Sequence, residues 1–192
     1  MGSAAQQSPV SVEEYFRLEA AADIRHEYRN GVVVAMAGGT YRHSLIANNI
    51  NGELRARLKG KDCQALESNL RVRIPRKAKY YYADGLIVCG KPQFDPAAPA
   101  ETTIVNPRLI VEVVSDSTEA FDRGDKFTDY REIESFREYL LVSQHVPRVD
   151  AFIRRADGTW RFQPAAGLES EVRLEELGIA LPLSEIYAGI TF

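Results

Sequence analysis

Cysteine is scarce in this 192-residue chain, which holds only Cys63 and Cys89. Two thiols cannot build a disulfide framework or a four-thiolate zinc site, and they fit a reduced, cytoplasmic setting. Histidine is nearly as scarce: three residues without ligand spacing give no support to a zinc centre. No apolar run approaches the roughly 18–20 residues that span a bilayer, so no membrane partnership is expected. The opening MGSAAQQSPV has neither a basic start nor an apolar stretch, so no signal peptide is expected, and residues 1–10 are expected to be disordered or a cloning remnant. A P-loop, a G-x-G-x-x-G fingerprint and a G-x-S-x-G elbow are all missing. Neither charge sign dominates: 24 Lys and Arg face 27 Asp and Glu, a net charge of −3, which argues against an indiscriminate nucleic-acid binder.

What is present is ordinary globular material, 45 % hydrophobic and 27 % charged. Nothing marks a boundary, so a single α/β domain over 11–192 is expected. Ser11 and Glu14 have capping-box spacing, opening a helix that carries Val12, Tyr15 and Phe16 at helical intervals. Asn30-Gly31 between short runs is a hairpin signal, with strands over 25–29 and 32–36. After Gly38-Gly39, a helix over 41–59 repeats Leu45, Ile46, Ile50, Leu54 and Leu58 at three and four. Strands are read over 62–66, 69–74 and 80–89. Residues 91–107, with four prolines, read as a surface loop. LIVEVV at 109–114 reads as a central strand covered on both faces. A helix over 117–133 follows, then strands over 137–143, 148–155, 159–163 and 171–174. A short helix over 183–188, opened by Ser184, ends the chain.

The chemistry lies in acids embedded in apolar strands. Glu112 sits inside LIVEVV, where a lone carboxylate costs several kcal/mol unless paired or bound to a metal. Asp84 in YYYADGLIVCG poses the same puzzle, although Asp84-Gly85 also reads as a turn or bulge. If the two strands are neighbours, both carboxylates can share one hard divalent cation; otherwise each acid faces water or pairs with an arginine. Lys126 stands four residues after Asp122, and spacing alone favours an exposed i,i+4 ion pair. His43 opens the long helix, either touching phosphate or serving as a surface cap. Arg71, Arg73, Arg76 and Lys77 form a basic stretch that either meets phosphate or is simply solvated.

Taken together, RHEYRNGVVVAM, GGTYRHSLIANNINGELRARL, YYYADGLIVCG, PRLIVEVVSDSTEAFDRGDKFTDY and REYLLVSQ resemble the Uma family of restriction endonucleases, a branch of the PD-(D/E)XK nuclease superfamily. The resemblance runs from about Ser11 to the C-terminus. It implies a restriction-endonuclease-like fold: a mixed central β-sheet flanked by helices, here with an N-terminal helix and β-hairpin. It maps the two metal-binding acids onto Asp84 and Glu112. The position two residues after the second acid is Val114, so the resemblance implies a lysine relocated to the following helix, at Lys126. Glu27 matches an additional family acid that would complete the metal site, and His43 matches the family histidine. Ala83 stands where the family usually has proline, which relaxes a backbone constraint but removes no functional group.

The resemblance thus implies a metal-dependent endodeoxyribonuclease that hydrolyses phosphodiester bonds of DNA. Asp84, Glu112, Glu27 and the Val113 backbone carbonyl would hold Mg²⁺ or Mn²⁺. Lys126 would orient or deprotonate the attacking water and stabilise charge on phosphorus. His43, Arg71, Arg73, Arg76 and Lys77 are the candidate nucleic-acid contacts. A non-catalytic nucleic-acid-binding module and a structural protein on the same scaffold are the alternatives. A homodimer, which would let two sites meet two strands, stays open.

Overall fold

The computed structural model describes residues 8–36 and 38–192. The expected unstructured start therefore lies outside the described residues over 1–7. From Ser8 onward the chain is placed, with the Val10 N–H donating to the Gly31 carbonyl at 2.9 Å.

Helix α1 (Val12–Ala21) starts where Ser11 Oγ accepts from the Glu14 N–H; Glu14 spends its own carboxylate on Arg17, so only half of the capping box forms. Strands β1 (His26–Arg29) and β2 (Val32–Ala35) make the hairpin. Its turn needs positive φ twice, and Asn30 (51°) and Gly31 (95°) supply it. A Cβ on Gly31 would lie 2.6 Å from Pro9 Cβ, so glycine also lets the N-terminal segment lie against the turn. Helix α2 (Tyr41–Arg57) follows, capped by Thr40. Next come β3 (Cys63–Glu67), β4 (Arg71–Ile74), β5 (Lys79–Tyr82), β6 (Gly85–Cys89), β7 (Thr103–Ile104) and β8 (Leu109–Val114).

Beyond β8, helix α3 (Glu119–Phe121), a π-helical turn (Asp122–Lys126) and helix α4 (Phe127–Tyr130) run on without a break. Strands β9 (Glu138–Ser143), β10 (Arg148–Arg154), β11 (Trp160–Ala166), β12 (Glu171–Leu174) and β13 (Ile179–Pro182) and helix α5 (Leu183–Ile186) complete the fold. Among the described residues, no helix is long and apolar enough to cross a membrane.

The architecture is mixed α/β. A 6-stranded sheet runs β11-β10-β9-β8-β6-β3, and a 5-stranded sheet runs β2-β1-β5-β4-β7. In the larger sheet β8 and β9 are parallel, and the remaining pairs are antiparallel. Both faces of β8 are covered. Leu109, Val111 and Val113 pack with Ile46, Ile50 and Leu54 of α2, whereas Ile110 and Val114 pack with Phe127, Tyr130 and the smaller sheet. Strand alternation therefore sends Glu112 to the second face.

Several expectations need correction. The single strand read over 80–89 breaks at Ala83-Asp84: β5 belongs to the smaller sheet and β6 to the larger one. The helix read over 117–133 is shorter and holds a π turn, because after Tyr130 the chain tightens to carry the buried Ile133 and Phe136 back to the start of β9. The 91–107 loop contains β7, which pairs with β4 in parallel. β13 was not foreseen, and the last helix starts after Pro182 rather than Ser184. Finally, Cys63 and Cys89 are opposite one another in the β3–β6 register and joined as a disulfide, not reduced thiols. Counting cysteines could not foresee this, because strand register decides which side chains meet.

Candidate active site

The break between β5 and β6 makes the site. Gly85 pairs with Val111, so Asp84, one residue earlier, sits at the level of Glu112 on the neighbouring strand. Asp84 is fixed from three directions. Its Oδ2 accepts from the Val113 N–H at 2.7 Å and lies 3.2 Å from His43 Nε2, and its backbone carbonyl accepts from Asn51 Nδ2 at 2.9 Å. Gly85 permits the last contact, since a Cβ there would overlap Asn51 Oδ1.

Glu112 is buried. Its Oε1 accepts from Tyr130 Oη at 3.0 Å and lies 2.8 Å from Lys126 Nζ. The π turn faces both Asp122 and Lys126 inward, where each is buried; such turns recur at functional sites. Lys126 Nζ also lies 3.2 Å from Glu27 Oε1 and 3.7 Å from Asp122 Oδ1, and donates to the Tyr82 carbonyl at 3.1 Å. The i,i+4 pair suggested by spacing therefore exists, but it is buried and secondary to Glu112. Glu27 comes from β1, where its Oε2 receives Arg29 at 2.7 Å. His43 comes from the first turn of α2, and Glu27, His43, Asp84, Glu112, Asp122 and Lys126 line one cleft of about 460 Å³. A second cleft of about 470 Å³ adjoins it and shares His43, Gly38, Gly39 and Asp84.

The electrostatics follow from burial and crowding. Burial pushes the Glu112 carboxyl well above the usual range; Asp122 and Asp84 push it further, and Lys126 opposes them. Burial raises Asp122 as well, again against Lys126. Burial pulls Lys126 down, but Glu112, Glu27 and Asp122 outweigh it and hold the ammonium well above its ordinary value. The surrounding carboxylates thus favour the charged form of Lys126. The hydrogen bond to Asp84, helped by that residue's charge and by the Val113 carbonyl, raises His43 against its own desolvation.

The basic stretch is mostly committed elsewhere. Arg71 is buried, stacked over Phe16 at 4.9 Å and bonded to Thr102 and Thr103. The smaller sheet packs that face against α1, so Arg71 is not offered to a phosphate. Arg73 pairs with buried Asp95, and Lys77 with Asp129 and Glu132. Arg76, at a turn with φ 61°, is exposed and has no ion pair among the described residues. Sequence reasoning singled out neither Tyr130 nor Arg29. Arg29 had a signal: it stands two residues from Glu27 on a strand, hence on the same face.

Among the described residues, no three His, Cys, Asp or Glu side chains are grouped as a ready metal shell. What the cleft offers instead is oxygen. Asp84 Oδ1 and Glu112 Oε2 carry no hydrogen bond among the described residues, and three carboxylates, Glu112, Glu27 and Asp122, surround Lys126. Two carboxylates and a carbonyl suit a hard cation that keeps several waters, so the donor set fits Mg²⁺ or Mn²⁺ and not zinc. Glu27 has one oxygen on Arg29 and the other on Lys126.

The Uma2 family profile, described as "Putative restriction endonuclease", matches residues 12–184. Two uncharacterized proteins of Synechocystis sp. are similar: one is 34 % identical over 187 residues, covering 95 % of this chain and 94 % of the relative. The other is 27 % identical over 170 residues, covering 88 % and 95 %. The fold is shared with the crystal structure of "a putative nuclease belonging to DUF820" from Anabaena variabilis, at a TM-score of 0.74 and 12 % identity, over 94 % of this chain and 98 % of that one. With a profile match over nearly its whole length and the restriction-endonuclease-like mixed sheet in place, the chain belongs to the Uma2 family.

Proposed function

We propose that the cleft hydrolyses phosphodiester bonds of DNA with a divalent cation, Mg²⁺ or Mn²⁺. One observation carries this reading: Asp84, Glu112 and Lys126, from three separate segments, meet where the two sheets part, with Lys126 Nζ 2.8 Å from Glu112. The family description and the name of the structural neighbour support it. Asp84, Glu112 and the Val113 carbonyl would hold the cation. When bound, it supplies Lewis acidity and an acidified water.

The remaining work belongs to the chain. The Val113 N–H and His43 fix Asp84 Oδ2, leaving Oδ1 free to face a ligand. Tyr130 Oη orients Glu112 through Oε1 in the same way. Lys126 holds its proton at Nζ and presents fixed positive charge where negative charge grows on the phosphoryl oxygens. Glu27 keeps that ammonium in place. Plasmid and single-stranded DNA incubated with Mg²⁺, Mn²⁺ or EDTA should be cut only with a cation, and Asp84→Ala and Lys126→Ala should abolish cutting. Cleavage surviving either substitution would sink the proposal.

One observation favours a second, structural reading: Lys126 is enclosed by Glu112, Glu27 and the Tyr82 carbonyl within the protein, as in a buried ion network without catalytic purpose. Calorimetric titration with Mn²⁺ separates the two. Binding that Asp84→Ala removes favours the nuclease, and no binding to the intact protein favours the structural role.

A further inference from the structure

A phosphodiester entering this cleft carries negative charge into a space with four carboxylates. It needs cationic hydrogen-bond donors, and they can be counted. An ammonium has three; Lys126 donates to the Tyr82 carbonyl and is enclosed in ion pairs with Glu112 and Glu27. His43 points Nε2 at Asp84. Arg29 is different. A guanidinium has five donors, and among the described residues the side chain makes one hydrogen bond, from its NH2 group to Glu27 Oε2. Its Nε is buried without a partner among the described residues.

The Arg29 plane is held by stacking instead. Its Cζ lies 3.7 Å from the centroid of Phe121, whose ring meets Tyr81 edge-on, and 5.9 Å from the centroid of Tyr81. Arg29 and Phe121 line the same cleft as Asp84, Glu112 and Lys126. A stacked guanidinium with unspent donors is pre-organised for a bidentate phosphate contact.

We propose that Arg29 is the phosphate anchor of the cleft: stacked on Phe121 and tethered to Glu27, it turns its free donors to the phosphodiester group. The assignment rests on the reading of the cleft as a phosphodiester site. It also explains the pairing of Glu27 with both Lys126 and Arg29: one carboxylate sets the spacing of two cations with different tasks.

The test uses the full chain and the variants Arg29→Met, which keeps an apolar stack, and Arg29→Lys, which keeps the charge but loses the fork. Binding of a fluorescein-labelled DNA duplex is followed by anisotropy in Ca²⁺ across a salt series, and hydrolysis is followed in Mn²⁺. Arg29→Met should weaken binding about tenfold to hundredfold and flatten the salt dependence by about one counterion. Arg29→Lys should restore the salt slope but only part of the affinity. Thermal melts of both variants near the wild type separate this from a folding defect. Wild-type affinity and salt slope in Arg29→Met would overturn the proposal, as would an intact chain that binds no DNA. If wild type binds through Arg29 yet never hydrolyses, the anchor stands and the nuclease reading fails. If Arg29→Met cleaves as well as wild type, the anchor fails and the nuclease reading stands.

Discussion

Replacing Lys126 by methionine tests the ionic centre of the site. The side chain is 6 % exposed and contacts Glu112, Glu27 and Asp122 at 2.8, 3.2 and 3.7 Å. Methionine fills a similar volume, so the packing loss is small and the electrostatic loss dominates. Removing one member of a buried ionic group leaves uncompensated charge and costs about 3–5 kcal/mol, which for a chain of this size lowers Tm by about 6–20 °C. The penalty has a sign in pH. Burial already raises the Glu112 carboxyl above its model-compound value of 4.5, and loss of Lys126 raises it further. A carboxyl with a raised folded pKa binds its proton more tightly folded than unfolded. Its contribution is therefore present at low pH and lost as pH rises from about 4.5 toward the folded value. Urea unfolding should show a penalty that is small near pH 4.5 and grows toward neutrality, and Glu112→Gln added to Lys126→Met should recover part of it. A loss under about 1 kcal/mol, or a loss independent of pH, would refute the reading of Lys126 as the charge that holds these acids together.

A second buried acid lies away from the cleft: burial raises Glu138, at the start of β9, to about 7 from 4.5. Wild type should lose about 3 kcal/mol from this group as pH rises from about 4.5 to 7, and Glu138→Gln, which keeps the acceptor for the Glu176 N–H, should not. Identical pH slopes in urea titrations would rule this out. The disulfide between Cys63 and Cys89 closes a loop of 26 residues in sequence separation, so reduction should lower stability by about 3–4 kcal/mol. A thiol count of the folded, unreduced protein that finds both cysteines free would contradict the pairing.

The sequence shows where a carboxylate is expensive, not what compensates it. Glu112 was legible because LIVEVV leaves a charge nowhere cheap to go, and Asp84 because Asp-Gly interrupts an apolar run. Their proximity was not, since it depends on β5 and β6 entering different sheets, and that switch arises from pairing between distant strands. Lys126 shows the limit most clearly. Its spacing to Asp122 is that of an ordinary surface pair; the π turn and the packing of Phe127 and Tyr130 under the sheet bury it and take it to Glu112. The resemblance named the residue, but local spacing could not.

The basic stretch fails for the complementary reason. Alternation correctly put Arg71 and Arg73 on one face, but whether that face meets solvent depends on whether α1 covers it, and the aromatic cluster of Tyr15, Phe16, Tyr28 and Tyr80 does. Local charge density in sequence therefore located, apart from the exposed Arg76, cations that serve the fold. Within the cleft, the cation with donors to spare among the described residues is Arg29 on the hairpin, in a segment whose composition shows no basic cluster. Counting hydrogen-bond donors after packing ranks Arg29 above Arg71, Arg73 and Lys77 as a phosphate contact, because a cation already satisfied by the protein must lose those partners before it can hold a ligand; Arg76 is unpaired among the described residues but does not line the cleft.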